Sequence, residues 1–471
     1  MKTRVEKDTM GAVKVPVDAL YGAQTQRAID NFNRADPGET YASVRIFPDL
    51  FIISLAQIKK AAAQTNFRLG CLSPPQANAI IRACDQVIAG RYLDQFPVSI
   101  FQTGSGTSTN MNMNEVLATL ANRALAKRRS AIRVHPNDQV NYGQSSNDVI
   151  PSSLQLALLS SIVTQVLPAV TMAENRLAQL SREYKQVIKT ARTHLMDAVP
   201  LALGDELATW RHRILEGKKR LESTLPRLSQ LPLGGTAVGT GINRHKDFAK
   251  LAAANLAELT GLPVKPCADA ATRISAQDPA QEVHSQLKLL ATVLMKIAND
   301  LRWMNSGPNA GLAEIQLKAL QPGSSIMPGK VNPVIPESIA MMCAEVLGND
   351  VTVTLANQSG NFQLNVMLPL IADKCLHSAA LMSDALRALA GKGLEGLTVN
   401  REQLASVLAL NPTLATALNT RIGYEKAAEI AKTAQREKRS VLDVALEKTT
   451  LDREELERLL DPKKQARPFA K

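Results

Sequence analysis

The chain has 471 residues, 45% of them hydrophobic but only 4% aromatic, and its formal net charge is +12. At roughly 150 residues per domain, that is enough for about two to four domains and a large core, and the Ala- and Leu-rich segments favour helices over sheets. Five scattered cysteines (71, 84, 267, 343 and 375) and six histidines without HExxH or finger spacing argue against a disulfide framework and a metal site, and for a reducing compartment.

The first residues, Met1 to Asp8, lack the apolar core of a signal peptide. No stretch approaches the ~20 uninterrupted apolar residues of a membrane span, so the expected location is the cytoplasm. The basic residues are dispersed and have no interleaved aromatics. That pattern fits a solvated basic surface, or a field attracting small dianions, better than a nucleic-acid interface.

The first polar cluster is Thr103-Gly104-Ser105-Gly106-Thr107-Ser108-Thr109-Asn110. Its composition alone reads as a linker. Phe101 before it and Met111, Met113 and Val116 after it instead suggest packing at both ends, which leaves hydroxyls and backbone N–H groups suited to an anion. It is no dinucleotide fingerprint, because Thr109 stands where the third glycine belongs. Next come His135-Pro136-Asn137-Asp138 and Gln144-Ser145-Ser146-Asn147-Asp148, which also read as turns and a helix cap.

An apolar helical pattern covers 154–188, with a kink expected at Pro168. Arg192-Thr193-His194-Leu195-Met196-Asp197 follows, and a lone histidine of this kind is more often structural than catalytic. Gly234 to Gly241 reads as a structural turn. In 283–301 the residues Val283, Leu287, Leu290, Leu294, Ile297 and Leu301 recur at helical spacing and form one apolar stripe.

Gly323-Ser324-Ser325-Ile326-Met327-Pro328-Gly329-Lys330-Val331-Asn332-Pro333 must be a loop, given its two glycines and two prolines. It packs two hydroxyls, a lysine and an amide together, a kit for holding a carboxylate and moving a proton. The Walker pattern does not fit it: five residues separate the glycines and Val331 follows the lysine. Pro336-Glu337 reads as a helix start with an acid near the positive end, and that helix runs on through Met342 and Val346. Gly391 to Gly396 looks like a linker, and a charged helical part with a basic tail after Pro462 closes the chain. Long apolar helices of this kind suit a bundle with apolar face left over for subunit contact.

These clusters, together with Glu6 to Gly11, Tyr21 to Gln26 and Ile422 to Ala428, resemble the fumarase/aspartase superfamily in order and over nearly the whole chain, and within it class II fumarase. The resemblance implies an all-α, three-domain subunit: an N-terminal lyase domain over 1–142, a central helix bundle over 143–396 that forms a tetramer core, and a small helical domain over 397–471. It implies reversible anti-addition of water to fumarate, giving (S)-malate in the tricarboxylic acid cycle. No cofactor or metal is implied, and no nucleic-acid or membrane partner. Each active site of the homotetramer would be built from three subunits.

The same resemblance implies roles for particular residues. Ser324 is the expected base for the C3 proton, and His194 with Glu337 the pair beside the reacting water. Ser105, Thr107, Asn110, Ser145, Ser146, Asn147, Thr193, Lys330 and Asn332 are expected to bind the dicarboxylate. His135, Asn137 and Asp138 match a second, non-catalytic anion site.

The match departs at Val334-Ile335-Pro336 and at Tyr142-Gly143, and the first of these looks more like aspartase. Aspartate ammonia-lyase, which releases fumarate and ammonia from aspartate, is therefore the alternative. Gln102 to Thr107, Ser146 and His194 favour the hydratase. A catalytically silent structural member, like the lens crystallins of this superfamily, is opposed by the intact Ser324, Lys330, Asn332, His194 and Glu337.

Overall fold

The computed structural model describes residues 2–34 and 39–467. The fold is all-α with short two-stranded sheets, as the Ala/Leu-rich, aromatic-poor composition predicts. The chain divides into two compact units, one of 1–167, 219–289 and 345–382, the other of 168–218, 290–344 and 383–471.

In the first unit a hairpin pairs Thr3–Asp8 with Gly11–Pro16, and Arg27 holds its Asp8 corner at 2.8 Å. Helix Ala23–Phe32 has no side-chain cap of its own. The buried carboxylate of Glu115 caps it from a distance, accepting the N–H groups of Gly22, Gln24 and Thr25 at 2.9–3.1 Å and the Thr25 hydroxyl. A carboxylate at the positive end of a helix is favourable, and here it satisfies donors that the helix cannot.

Helices Asp49–Arg68, Pro74–Ile88, Thr107–Lys127, Ser146–Ser161 and Phe248–Thr260 pack around Phe51, Leu55, Ile58, Ile80, Met113, Leu117, Ile150 and Leu154, all fully buried. Fully burying side chains of this size contributes ~1.5–3 kcal/mol each. Deeper in this unit the buried His284 ring bridges Asp350 (3.0 Å) and the Ser378 hydroxyl (2.9 Å). Its pKa is lowered by burial against the pull of Asp350.

Pro168 lies just inside helix Leu167–Glu183. The expected accommodation is visible one turn earlier: Ile162–Val166 widens into a π-turn, which frees the backbone where the proline lacks its N–H. The helical pattern read over 154–188 ends sooner than expected. The helix stops at Glu183 and Ile188–Thr193 is a strand.

The second unit contains that strand, paired antiparallel with Met196–Ala202. Beneath it lies a buried charge cluster. Lys189 donates to Glu206 at 2.8 Å and to Glu314 at 2.6 Å, and Arg192 reaches Glu314 at 2.7 Å. Helix Asp278–Met304, which belongs to the first unit up to Leu289 and to the second from Leu290, buries its whole expected stripe, Val283 to Leu301. The C-terminal helices Arg401–Ala409, Tyr424–Glu437, Val441–Lys448 and Arg453–Leu460 build a separate core on Leu418, Ile430, Val444 and Leu456.

Gly391 to Gly396 is not an open linker. It belongs to a π-turn, Leu389–Gly393, followed by a tight turn in which Leu394 is fully buried. The one apolar residue between these glycines, Leu394, is buried, and Gly396 closes the turn in left-handed backbone at φ 69°.

The expectation about membrane spans needs a correction. Helices Ser146–Glu183 and Val334–Gln358 are long and apolar enough to cross a bilayer, although 56% and 39% of their apolar windows are buried within the fold.

Candidate active site

In the second unit, the strands Ile188–Thr193 and Met196–Ala202 are joined by a two-residue turn with Thr193 facing Met196. His194 and Leu195 both take left-handed backbone, with φ of 57° and 61°. That is the geometry of a two-residue hairpin turn, which normally selects Asn-Gly. Holding a histidine and a leucine there costs about 1–2 kcal/mol each. Strain of this kind persists where surrounding structure imposes it, and the Lys189–Glu314–Arg192 cluster does so here. Thr193 and His194 are exposed at the hairpin tip.

The Gly323 loop closes on itself. Gly323 N–H donates to the Lys330 carbonyl at 2.7 Å, and the Asn332 amide donates to the Gly323 carbonyl at 2.8 Å. A Cβ on Gly323 would lie 2.7 Å from the Lys330 carbonyl oxygen, so only glycine fits the neck. Inside the loop, the Ser324 hydroxyl oxygen accepts the backbone N–H of Ile326 (3.2 Å) and of Met327 (3.1 Å). An open cavity of about 470 Å³ borders the loop, lined by Ser324, Met327, Lys330 and Val331 among others. Lys330 and Ser325 are exposed.

Helix Val334–Gln358 begins two residues before the expected Pro336 and carries Glu337 in its first turn. No hydrogen bond joins Glu337 to His194 among the described residues. The Asn332 side chain serves the loop neck, so one of its two amide donors is already engaged.

In the first unit, the Thr103–Thr107 stretch is an ordered turn rather than a linker. Gly106 N–H donates to the Thr103 carbonyl at 2.8 Å, the Ser105 and Thr107 hydroxyls lie 2.8 Å apart, and Gln102 brackets Thr109. Thr107 opens helix Thr107–Lys127, whose positive end favours an anion, although the Ser108 and Thr109 N–H groups already donate to Thr103 Oγ1 and Gln102 Oε1. One turn on, the buried Asn110 amide donates to the Ser146 hydroxyl at 3.0 Å, so two of the expected binding residues meet. Ser145 and Asp148 form a capping box on helix Ser146–Ser161.

Asn147 donates to the Ala237 carbonyl at 2.8 Å, and Asp148 accepts the N–H groups of Gly234 and Thr236. The glycine-rich turn is thereby locked onto the serine cluster. Burial pushes the Asp148 carboxyl up to about 6, against the pull of these N–H groups and of Lys59.

His135 caps the π-turn Pro136–Val140, its Nδ1 accepting the N–H of Asn137 and Asp138 at 3.3 and 3.4 Å. The Asp138 carboxylate lies 3.3 Å from the same nitrogen.

Sequence reasoning missed the buried charges behind these loops: Lys59, Glu115, Lys189 and Glu314. A signal existed for Lys59, which shares a helical face with Leu55, Ile58 and Ala62, all buried.

The family pattern described as Lyase matches residues 11–348, and that of the Fumarase C C-terminus matches 414–465. The chain is 52% identical to fumarate hydratase class II 2 of Pseudomonas aeruginosa over 98% of both chains. It is 51% identical to the class II fumarate hydratase of Xylella fastidiosa strain 9a5c, over 98% of this chain and 94% of that one. Among solved structures, a class II fumarase from Schistosoma mansoni superposes with a TM-score of 0.95 at 37% identity, covering 100% of both chains. A fumarate lyase:delta crystallin from Brucella melitensis, bound to cobalt, gives 0.91 at 41% identity, over 99% of this chain and 100% of that one. Fold and sequence together define a lyase of the fumarase/aspartase class. Within that class, the chain belongs to the class II fumarase family.

Proposed function

We propose that this protein is a fumarate hydratase, adding water reversibly and anti across the double bond of fumarate to give (S)-malate, a step of the tricarboxylic acid cycle. The observation that carries the proposal at atomic level is the pair of backbone N–H groups aimed at Ser324 Oγ. Removing the C3 proton of malate needs a strong base, and a serine hydroxyl is far too weak without activation. Hydrogen bonds to a charged group contribute ~1.5–3 kcal/mol each. Hydrogen bonds to the neutral hydroxyl are weaker, so both N–H groups favour the alkoxide and lower the hydroxyl pKa. The remainder falls to the Lys330 cation and to exclusion of water when substrate fills the loop.

Proton removal leaves a carbanion whose charge spreads into the neighbouring carboxylate. Thr107, Asn147, Lys330 and Asn332 supply hydroxyl, amide and ammonium donors for it, with Ser105, Asn110, Ser145, Ser146 and Thr193 completing the grip. His194, held by Glu337, handles the departing hydroxyl or attacking water. Each active site is assembled from three subunits of a homotetramer. In support of that assembly, helix Val334–Gln358 exposes Met341, Ala344, Gly348, Val351 and Leu355 along one face, an apolar stripe with nothing over it among the described residues. Helix Ser146–Glu183 is read as a core helix, and the protein as cytoplasmic.

The division at 396 is supported by the separate C-terminal core and the separate family match over 414–465, and the division at 142 is carried by the family resemblance. His135, Asn137 and Asp138 are assigned to the second anion site. The test is Ser324→Ala: a correctly folded tetramer with kcat reduced at least a thousandfold supports Ser324 as base, and near-native kcat removes it from that role.

A further inference from the structure

Lys59 lies in the middle of helix Asp49–Arg68 and is 0% exposed. Its ammonium donates to two neutral amides, Asn141 Oδ1 at 2.8 Å and Gln144 Oε1 at 3.1 Å. The other buried charge nearby, Asp148, is saturated by the N–H groups of Ser145, Gly234 and Thr236. Taking an ammonium out of water costs several kcal/mol when no carboxylate touches it, and an apolar side chain of similar volume would fill the same space at lower cost. Stability therefore does not account for a lysine here. Burial draws its pKa down to about 7, opposed by Asp148 and Cys84.

What the ammonium holds is the loop in front of helix Ser146–Ser161. Asn141 donates to the Gln144 carbonyl at 3.2 Å, and Gln144 donates back to the carbonyls of Val140 and Tyr142 at 3.1 and 3.3 Å. The Asn141 oxygen that receives Lys59 also receives the Asn110 amide at 3.3 Å, and the same Asn110 amide donates to the Ser146 hydroxyl at 3.0 Å. A continuous chain of contacts runs from Lys59 through Asn141 and Asn110 to Ser146. Because Asn141 Oδ1 is turned toward the ammonium, the Asn110 amide has only one orientation that makes its bonds, and Ser146 is fixed in turn.

We propose that Lys59 is a positioning residue for the dicarboxylate: its buried ammonium orients Asn141, Asn110 and Ser146 to grip a carboxylate and supplies the positive charge that the incoming dianion compensates. The inference rests on the reading above in which Asn110 and Ser146 face substrate. It explains why a costly charge is kept where the fold alone has no use for one. An ordering that serves ground state and transition state alike acts on KM rather than kcat.

The test begins with native enzyme on malate and fumarate, whose silence would overturn the functional reading and not the role of Lys59. Lys59→Met is then compared with it, folding being checked by circular dichroism and tetramer size. The expected result is a KM raised roughly ten- to hundredfold for both substrates, the worth of a hydrogen bond to a charged group, with kcat within about threefold. Should Lys59→Met not fold, Asn141→Asp decides: it neutralises the ammonium in place and is expected to raise KM for both substrates in the same way. An unchanged KM in a folded variant overturns the proposal, as does a fall in kcat at constant KM. Succinate gives an independent readout, since its inhibition constant is expected to rise in step with KM.

Discussion

Gly104→Ala tests whether the hydroxyl turn at 103–107 is held in position by close packing. Gly104 has ordinary backbone, so space and not φ restricts it. A Cβ there would lie 1.5 Å from the Val366 carbonyl oxygen and 2.3 Å from its carbon. The same strand of chain is tied down by the Leu368 N–H, which donates to the Gly104 carbonyl at 2.9 Å. Ordinary contact begins near 3.4 Å, so the turn must retreat by about 2 Å, and nothing flexible can yield because the obstacle is backbone. The Ser105 and Thr107 hydroxyls ride on that turn. A displacement of ~1 Å at a reacting group can cost ~100-fold, so kcat/KM for malate is expected to fall by at least about that factor. Stability should fall by only ~1–3 kcal/mol, the usual cost of overpacking. The assay is initial velocity on malate, with thermal melting in parallel and Gly391→Ala as control, since a Cβ there meets nothing within 4 Å. A folded Gly104→Ala enzyme within threefold of native kcat/KM would refute the reasoning: either the turn adapts without moving its hydroxyls or they do not touch substrate.

Glu314→Gln removes the carboxylate shared by Lys189 and Arg192. Breaking a buried pair costs ~3–5 kcal/mol. Because Glu206 still holds Lys189, the lower end is expected, along with a drop in kcat as the His194 hairpin loosens; an unchanged melting temperature would contradict this. Leu195→Gly places the preferred residue in a left-handed turn position, and Leu195 is 70% exposed. It should stabilise the hairpin by about 1 kcal/mol, and a lower melting temperature would show that Leu195 is covered in the assembly. Lys59 has a folded pKa of about 7 against ~10.4 unfolded. Between those values the unfolded chain binds the extra proton, so stability rises with pH, by ~1.4 kcal/mol per unit. From pH 7 to 8.5 native enzyme should gain about 2 kcal/mol relative to Lys59→Met, and parallel pH profiles would show that folded Lys59 keeps its proton across this range, so that burial does not lower its pKa.

Much of the fold was legible where one periodicity governed a long segment. The Val283 to Leu301 stripe is buried along its length, and the break at Pro168 has its π-turn close by. Boundaries were less legible. The hairpin at 188–202 was hidden because its turn carries His194-Leu195 instead of Asn-Gly, and because the inward groups of its first strand include the charged Lys189, which pairs with Glu314 125 residues away. The order in 103–107 was likewise invisible to composition, which cannot distinguish a free Gly/Ser/Thr run from one whose glycine abuts Val366.

The candidate catalytic residues could be located by motif, but not the charges supporting them. Lys59 meets Asn141 across 82 positions, and Gly22 meets Glu115 across 93. No local pattern encodes such pairs. What the sequence does show is a lysine on an apolar face, and that anomaly was the available cue.

The central claim is tested most directly by giving the purified enzyme malate or aspartate separately and following the ultraviolet absorbance of the conjugated product. The account predicts a rise with malate and none with aspartate. A rise with aspartate alone, or with neither substrate, would contradict it.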